Sequence, residues 1–256
     1  FIDDTTHLIQ VLVQDINYTL YKIDNSGNIQ WKRKLDNKVL SPYYPVDPYH
    51  TGQKCYVFNT RSFIYMMDAN GNNCPGYPIH LPAMATNSIS LVDYFGNGDY
   101  RVFLACGNMS MYAWLLNGKP LGGWYFNKTQ KSVTDSLQYF RFGTQDYLVF
   151  TDEDFNFYAL NKMGQYQFKS TTVLKKPGTS FYRIYADDST FQLMMMDTSG
   201  AILSVKENSV TPILSTAQTG APLVWLPMDA NADKVDDFVL LNKQSLKILS
   251  NDNVTL

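Results

Sequence analysis

The stretch CYVFNTRSFIYMMDANGNNCPGYPIHL, residues 55–81, decides the fold. A short apolar and aromatic run, CYVFN, meets the polar turn TRS, and a second run, FIYMM, follows at once. Two short runs rich in β-branched and aromatic residues, joined by a tight polar turn, predict a β-hairpin. The second run ends in DANG, where Asp, Asn and Gly supply the turn conformations that ordinary residues avoid. A further run, GYPIHL, then starts, so the stretch reads as three consecutive strands.

The same arrangement recurs along the chain. An anchor residue followed six positions on by Gly appears as YKIDNSG from Tyr21, YMMDANG from Tyr65, YAWLLNG from Tyr112 and YALNKMG from Tyr158. Weaker copies, LSVKENS from Leu203 and ILSNDN from Ile248, complete the series. Successive anchors are 44, 47, 46, 45 and 45 residues apart. Each anchor follows an apolar run and a polar turn: QVLVQ-DIN, CYVFN-TRS, VFLAC-GNM, YLVF-TDED, LMMM-DTSG and FVLL-NKQ. In most copies another run precedes these (SISLVDYF, SLQYFRF, SFYRIYA, PLVWLPM). A fourth follows the Gly turn (IQWKRKL, GYPIHL, GGWYF, QYQFK).

Four short strands every 45 residues or so is the period of a β-propeller blade. One four-stranded sheet has two apolar faces and cannot bury both alone, whereas stacked sheets cover one another. The expected fold is therefore all-β, a propeller of six four-stranded blades forming one domain over residues 1–256. The blades are expected near 1–38, 39–83, 84–128, 129–172, 173–216 and 217–256. Helix signals are nearly absent, and the polar stretch Phe126–Asp135 reads as a loop. Only Phe1-Ile2 stands where the first blade needs an innermost strand, and the last copy ends in the stub VTL. The ends are expected either to pair and close the ring or to mark blades that lie elsewhere in a longer protein. A closed or nearly closed ring is preferred, because open sheet edges invite association.

Composition narrows the function classes. Lys+Arg number 21 and Asp+Glu 23, a formal charge of −2. Nucleic acids and anionic membranes are held by clustered Lys and Arg, so neither is an expected partner. No run reaches the roughly 20 apolar residues of a membrane-spanning helix. The chain opens at Phe1 without a signal peptide and reads as a processed or excised piece of something longer. Cys55, Cys74 and Cys106 contain no CxxC pair, which excludes the common zinc spacings. Three separate buried cysteines are the expectation, with one disulfide plus a free thiol as the alternative.

The residues also resemble known repeat families. YKIDNSGNIQW is similar to the PQQ-like propeller repeat, DANGNNCPGYPIHLP looks like the blades of bacterial repeat proteins, and MDANADKVDDFVLL resembles the FG-GAP and VCBS calcium-loop repeat. Together with ATNSISLVDYFGNGDYRVFLACG they look like the propeller portion of longer secreted or envelope proteins of Bacteroidetes. The resemblance implies a periplasmic, outer-membrane-associated or extracellular setting. PQQ enzymes use a stacking Trp, a calcium-binding acid set and often adjacent cysteines. Here no cysteines are adjacent and only Trp31 holds the docking position, so the resemblance implies a non-catalytic blade without an organic cofactor, as in envelope assembly factors.

The clearest site pattern is Asp229-x-Asn231-x-Asp233-x-Val235-x-Asp237, with oxygens at loop positions 1, 3, 5, 7 and 9. The FG-GAP resemblance makes this a Ca²⁺ loop in which Val235 contributes its backbone carbonyl, and hard cations favour such oxygen sets. Lys234 stands where Gly usually gives the sharp turn, so the alternative is a vestigial turn. The corresponding loops at Asp47 and at Asp93 to Asp99 are more degenerate and are expected to hold no metal, their Asp capping the turn instead. His7, His50 and His80 lack metal-pair spacing, and TDEDF (Asp152, Glu153, Asp154) reads as a hairpin turn. Trp114, Trp124, Tyr125 and Trp225 are expected mainly in the space between blades, with a sugar- or peptide-binding surface as the alternative.

No catalytic constellation stands out. The expected role is a non-enzymatic protein-interaction or scaffold propeller with a protein partner or a surface glycan. The alternative is a carbohydrate-active hydrolase or lyase on the same scaffold, and a third reading is a structural spacer.

Overall fold

A computed structural model describes residues 10–169, 183–186, 191–206, 209–214, 224–232 and 237–249. The chain divides into two compact units, Phe1–Leu137 and Gln138–Leu256. Each contains three antiparallel sheets whose strands follow one another in sequence order.

In the first unit, β1 (Val11–Gln14), β2 (Thr19–Ile23) and β3 (Ile29–Lys34) form the first sheet. The second comprises β4 (Tyr44–Val46), β5 (Cys55–Asn59), β6 (Phe63–Met67) and β7 (Ile79–His80). The third comprises β8 (Ser90–Val92), β9 (Arg101–Ala105) and β10 (Met111–Leu115). In the second unit, β11 (Gln138–Phe142), β12 (Gln145–Thr151), β13 (Phe157–Leu160) and β14 (Tyr166–Lys169) make the fourth sheet. The fifth holds β15 (Arg183–Ala186), β16 (Phe191–Met196), β17 (Ile202–Lys206) and β18 (Ser209–Leu214). The sixth holds β19 (Val224–Met228), β20 (Asp237–Leu241) and β21 (Leu246–Leu249). Among the described residues there is no helix, and so none long and apolar enough to cross a membrane.

The core shows why the period-2 pattern gives stacked sheets. Successive side chains on a strand point to opposite faces. In β5 and β6, Val57, Ile64 and Met66 join Val102, Leu104 and Trp114 of the third sheet. Their neighbours Phe58, Tyr65 and Met67 join Leu20 and Leu35 on the other side. The second sheet is thus sandwiched, and β5 is buried along its whole length. The second unit repeats the scheme. Tyr147, Val149, Phe157 and Ala159 meet Leu193, Met195 and Val205, while Met194, Met196 and Ile202 meet Trp225, Phe238 and Leu240. Each fully buried Phe or Leu contributes about 1.5–3 kcal/mol.

One expectation changes. The run GGWYF, expected as the fourth strand of the third sheet, is irregular. Gly123 at φ +76° and Pro120 just before it break the ladder, leaving only the isolated bridges Trp114↔Pro120 and Ser110↔Lys128. The adjoining Phe126–Asp135 stretch is an irregular connection, as its composition predicts, yet it buries Phe126 and Val133. The partial strands expected at residues 1–2 and 254–256 lie outside the described residues.

Side chains one repeat apart also join the third sheet to its successor segment. The Thr86 hydroxyl donates to Val133 O, the Asn87 amide to Asp135 O and the Ser90 hydroxyl to Leu137 O. Asn59 works similarly between the second and third sheets: its amide donates to Asn87 O, and its Oδ1 accepts Ile89 N–H. These bonds satisfy polar groups that burial would otherwise penalise.

Candidate functional site

Carboxylates and side-chain amides do most of the loop building. Asp24 Oδ1 accepts the amides of Ser26 and Asn28, and Asp68 Oδ1 those of Asn70 and Asn72. Asn161 does the same for Met163 and Gln165, and Asp197 for Ser199 and Ala201. The geometry needs a left-handed residue to close each turn, which Gly27, Gly71, Gly164 and Gly200 supply at φ between +78° and +88°. Gly200 lies in a hairpin at the other end of its sheet, and hairpins there also tolerate larger residues: Tyr18, Met109 and Phe155 all lie near φ +62°.

The anchor tyrosines of the repeat have a chemical reason to recur. Tyr21 donates its hydroxyl to Asp15 Oδ2 at 3.0 Å and Tyr158 to Asp152 Oδ2 at 2.9 Å, in each case the residue that opens the preceding hairpin. Tyr65 finds Asp36 instead, at 3.1 Å, and Tyr112 accepts from the Asn108 amide.

Loops from the second and third sheets converge at one end of the first unit. Between β4 and β5, Asp47 accepts the amides of Thr51 and Gly52. Between β8 and β9, Asp93 accepts those of Phe95, Gly96, Asn97 and Gly98. The Gly52 amide is the main reason the Asp47 carboxyl sits below its ordinary value. Burial works against Asp93, but its backbone amides, Gly98 foremost, outweigh that and hold it low. His50 Nε2 lies 3.8 Å from Asp99 Oδ1, an exposed pair that contributes little.

A cavity of about 280 Å³ lies beside these loops, lined by Pro48, Tyr49, Met66, Pro75, Gly76, Leu116 and Asn117. Tyr49 is 51% exposed at its rim, and Phe95 in the next loop is 63% exposed. The wall is mostly apolar, with backbone groups at Gly76 and Asn117. Such a pocket takes an apolar or aromatic group and has no acid–base apparatus of its own. Tyr77 braces it from beneath, donating its hydroxyl to Leu116 O at 2.8 Å. Sequence reading missed this site because its walls come from three loops in two repeats. The one local signal, Pro48-Tyr49 beside a degenerate Asp loop, was not singled out.

The residues singled out in sequence fall as follows. Asp229 and Asn231 are exposed, Asp237 is buried at the start of β20, and its Oδ2 accepts the Ala230 amide at 3.0 Å. Asp233, Lys234 and Val235 lie outside the described residues. Oxygen donors at 229, 231 and 237 suit a hard cation chemically. The Asp237–Ala230 bond also shows the loop folding back on itself, as the loops at Asp47 and Asp93 do. Trp114 and Trp225 are buried between sheets, whereas Tyr125 is exposed. Trp124 is half-buried, packs at a tilt against Phe103 and donates to Met111 O. In TDEDF, Asp152 is buried and accepts the amides of Asp154 and Asn156 together with the Tyr158 hydroxyl, while Glu153 and Asp154 are exposed. His50 and His80 are exposed on loop and edge, and His7 lies outside the described residues.

Trp31 is placed as a docking residue. Its indole nitrogen donates to Ala69 O at 2.9 Å, the same carbonyl that accepts from Lys22 Nζ, and its ring lies on Gly71. The first sheet is thereby clamped to the DANG turn of the second.

No protein family's model matches the sequence, and no curated protein matches it. Solved structures do. BBS1N, in its complex with ARL6DN, is similar at a TM-score of 0.56 and 8% identity, over 95% of this chain and 74% of that one. BamB from Moraxella catarrhalis is similar at a TM-score of 0.56 and 11% identity, over 100% of this chain and 73% of that one. Likeness at such low identity speaks for the fold alone. Six sequential antiparallel sheets, stacked face to face within each unit and similar to these propellers over nearly the whole chain, give the protein the β-propeller fold.

Proposed function

We propose that the chain is a non-enzymatic interaction or scaffold propeller of the bacterial envelope or a secreted protein, and that it grips a protein partner through the loops of its second and third sheets. The observation that carries this is the cavity lined by half-exposed Tyr49, with a second exposed aromatic, Phe95, in the neighbouring loop of the third sheet. Aromatic anchors and the pockets that receive them dominate protein–protein affinity. A volume of about 280 Å³ suits one or two large side chains and falls just below the usual range for small-molecule pockets, about 300–1,000 Å³. BBS1N, similar in fold, is seen in complex with a protein, ARL6DN. The location rests on the PQQ-like repeat residues and on the likeness to BamB.

The loop at 229–237 takes a supporting part. In this reading Asp229, Asn231, Asp233, the Val235 carbonyl and Asp237 hold a structural calcium ion that stiffens the β19–β20 connection and takes no part in chemistry.

The test is affinity enrichment from a native envelope fraction with wild-type protein against Tyr49→Ala and Phe95→Ala. A defined partner whose recovery falls at least about tenfold with either variant supports the reading, since a hot-spot aromatic carries about 2 kcal/mol or more. Equal recovery by all three proteins, or turnover of a glycan panel by the wild type, overturns it.

A further inference from the structure

Cys74 directly precedes Pro75 and Gly76 of the cavity wall and lies against Cys55, but what the pair does is independent of what the cavity binds. Cys55 starts β5, and Cys74 follows the DANG turn, its amide donating to Met66 O at 2.8 Å. Both side chains join the core cluster facing the third sheet. Their sulfurs are 3.0 Å apart, closer than two thiols separated by ordinary packing, and 19 residues separate them in sequence. Cys106 is also buried but belongs to the third sheet's hairpin, where its amide bonds Ser110 O.

We propose that Cys55 and Cys74 are a redox-active pair that closes to an intramolecular disulfide in the presence of a disulfide-class oxidant, leaving Cys106 as the single free thiol. A bond of about 2.05 Å requires the two sulfurs to approach by roughly 1 Å, within the give of a loop residue. Both thiols are buried, and Pro75 and Gly76, next to Cys74, line the cavity, so opening of that segment presents Cys74 to the oxidant first. Cys74 loses its proton, and its thiolate attacks one sulfur of the oxidant, expelling the other as a thiol. The Cys55 thiolate then attacks Cys74 Sγ and expels the second oxidant thiol. Two protein thiols are oxidised and one external disulfide is reduced to two thiols, so atoms and electrons balance. Burial pushes the Cys55 thiol up to about 12 and raises Cys74 as well, so the exchange runs slowly until the 73–76 segment opens. Once formed, the bridge pins that segment and fixes the cavity wall.

The test treats the full chain with dithiothreitol or with oxidised glutathione, then denatures it and counts thiols by maleimide mass labelling. Three labels after reduction, one label after oxidation, and a Cys55–Cys74 cross-linked peptide support the pair. Oxidised wild type should also melt several degrees above the reduced form, a shift that Cys106→Ser keeps and Cys55→Ser or Cys74→Ser loses. Peptide mapping of the wild type does not depend on the variants folding. Three labels after oxidation, stable glutathione adducts without an internal link, or a bridge to Cys106 would each overturn the proposal.

Discussion

Asp152 carries the clearest single-residue consequence. It is buried, and it satisfies two backbone amides, the Asn156 side chain and the Tyr158 hydroxyl. Asp152→Ala leaves Tyr158 without that acceptor inside the fourth sheet, a loss of about 1–3 kcal/mol readable by urea denaturation. Asp152→Asn should recover part of it, because an amide oxygen still accepts. The half-buried turn carboxylates act through pH instead. Asp15, Asp24 and Asp47 have carboxyls lowered by backbone amides, those of Thr19, Asn28 and Gly52 respectively, and Asp93 is lowered by its loop amides against the effect of burial. A folded value below the unfolded one means that ionisation favours the folded state. Their contribution is complete above about pH 4 and disappears as pH falls through the lowered folded values. Melting temperature should therefore hold from pH 7 to about 5 and drop below about 4, and a flat profile down to pH 3 would show that these anchors are dispensable.

At the scale of elements, the hairpin turns separate backbone strain from packing. Gly27 and Gly71 occupy equivalent turns at φ +84° and +80°, but a Cβ on Gly27 meets open space, while one on Gly71 would sit 2.8 Å from Trp31 Cδ2. Gly27→Ala should cost about 1–2 kcal/mol for the left-handed backbone alone. Gly71→Ala adds the clash with a ring that is itself hydrogen-bonded, about 1–3 kcal/mol more. Equal losses in a denaturant titration would mean that Trp31 does not dock as described. The sixth sheet's loop gives a second element-level outcome. Added Ca²⁺ should raise the melting temperature by a few degrees, EDTA should reverse the gain, and Asp233→Ala should abolish it. No response to calcium would leave 229–237 as a turn closed by hydrogen bonds, like the one at Asp93.

For the whole molecule, the repeat made the fold legible because its first four copies spell the same local physics: alternating apolar residues, an Asx residue to gather amides and a Gly at the left-handed position. Tyr21 and Tyr158 even show why the anchor is a tyrosine. What stayed illegible depends on contacts between copies. GGWYF has strand-like composition, yet Gly123 and Pro120 take it out of the ladder. The cavity needs Tyr49, Gly76 and Asn117 together, and no spacing within one repeat predicts that meeting. Asp93 and Asp152, read from sequence as turn residues, do gather the amides of their own loops. The proposed interaction is assigned to these loops, and site-specific photo-crosslinking there tests it most directly. A photoreactive residue at Phe95 and a control at Ile16, which is 91% exposed on a hairpin at the opposite end of its sheet, would be introduced into the protein in its native cells. The account predicts a discrete crosslink to one protein from position 95 and none from position 16. Crosslinks of equal yield from both positions, or none from 95, would contradict it.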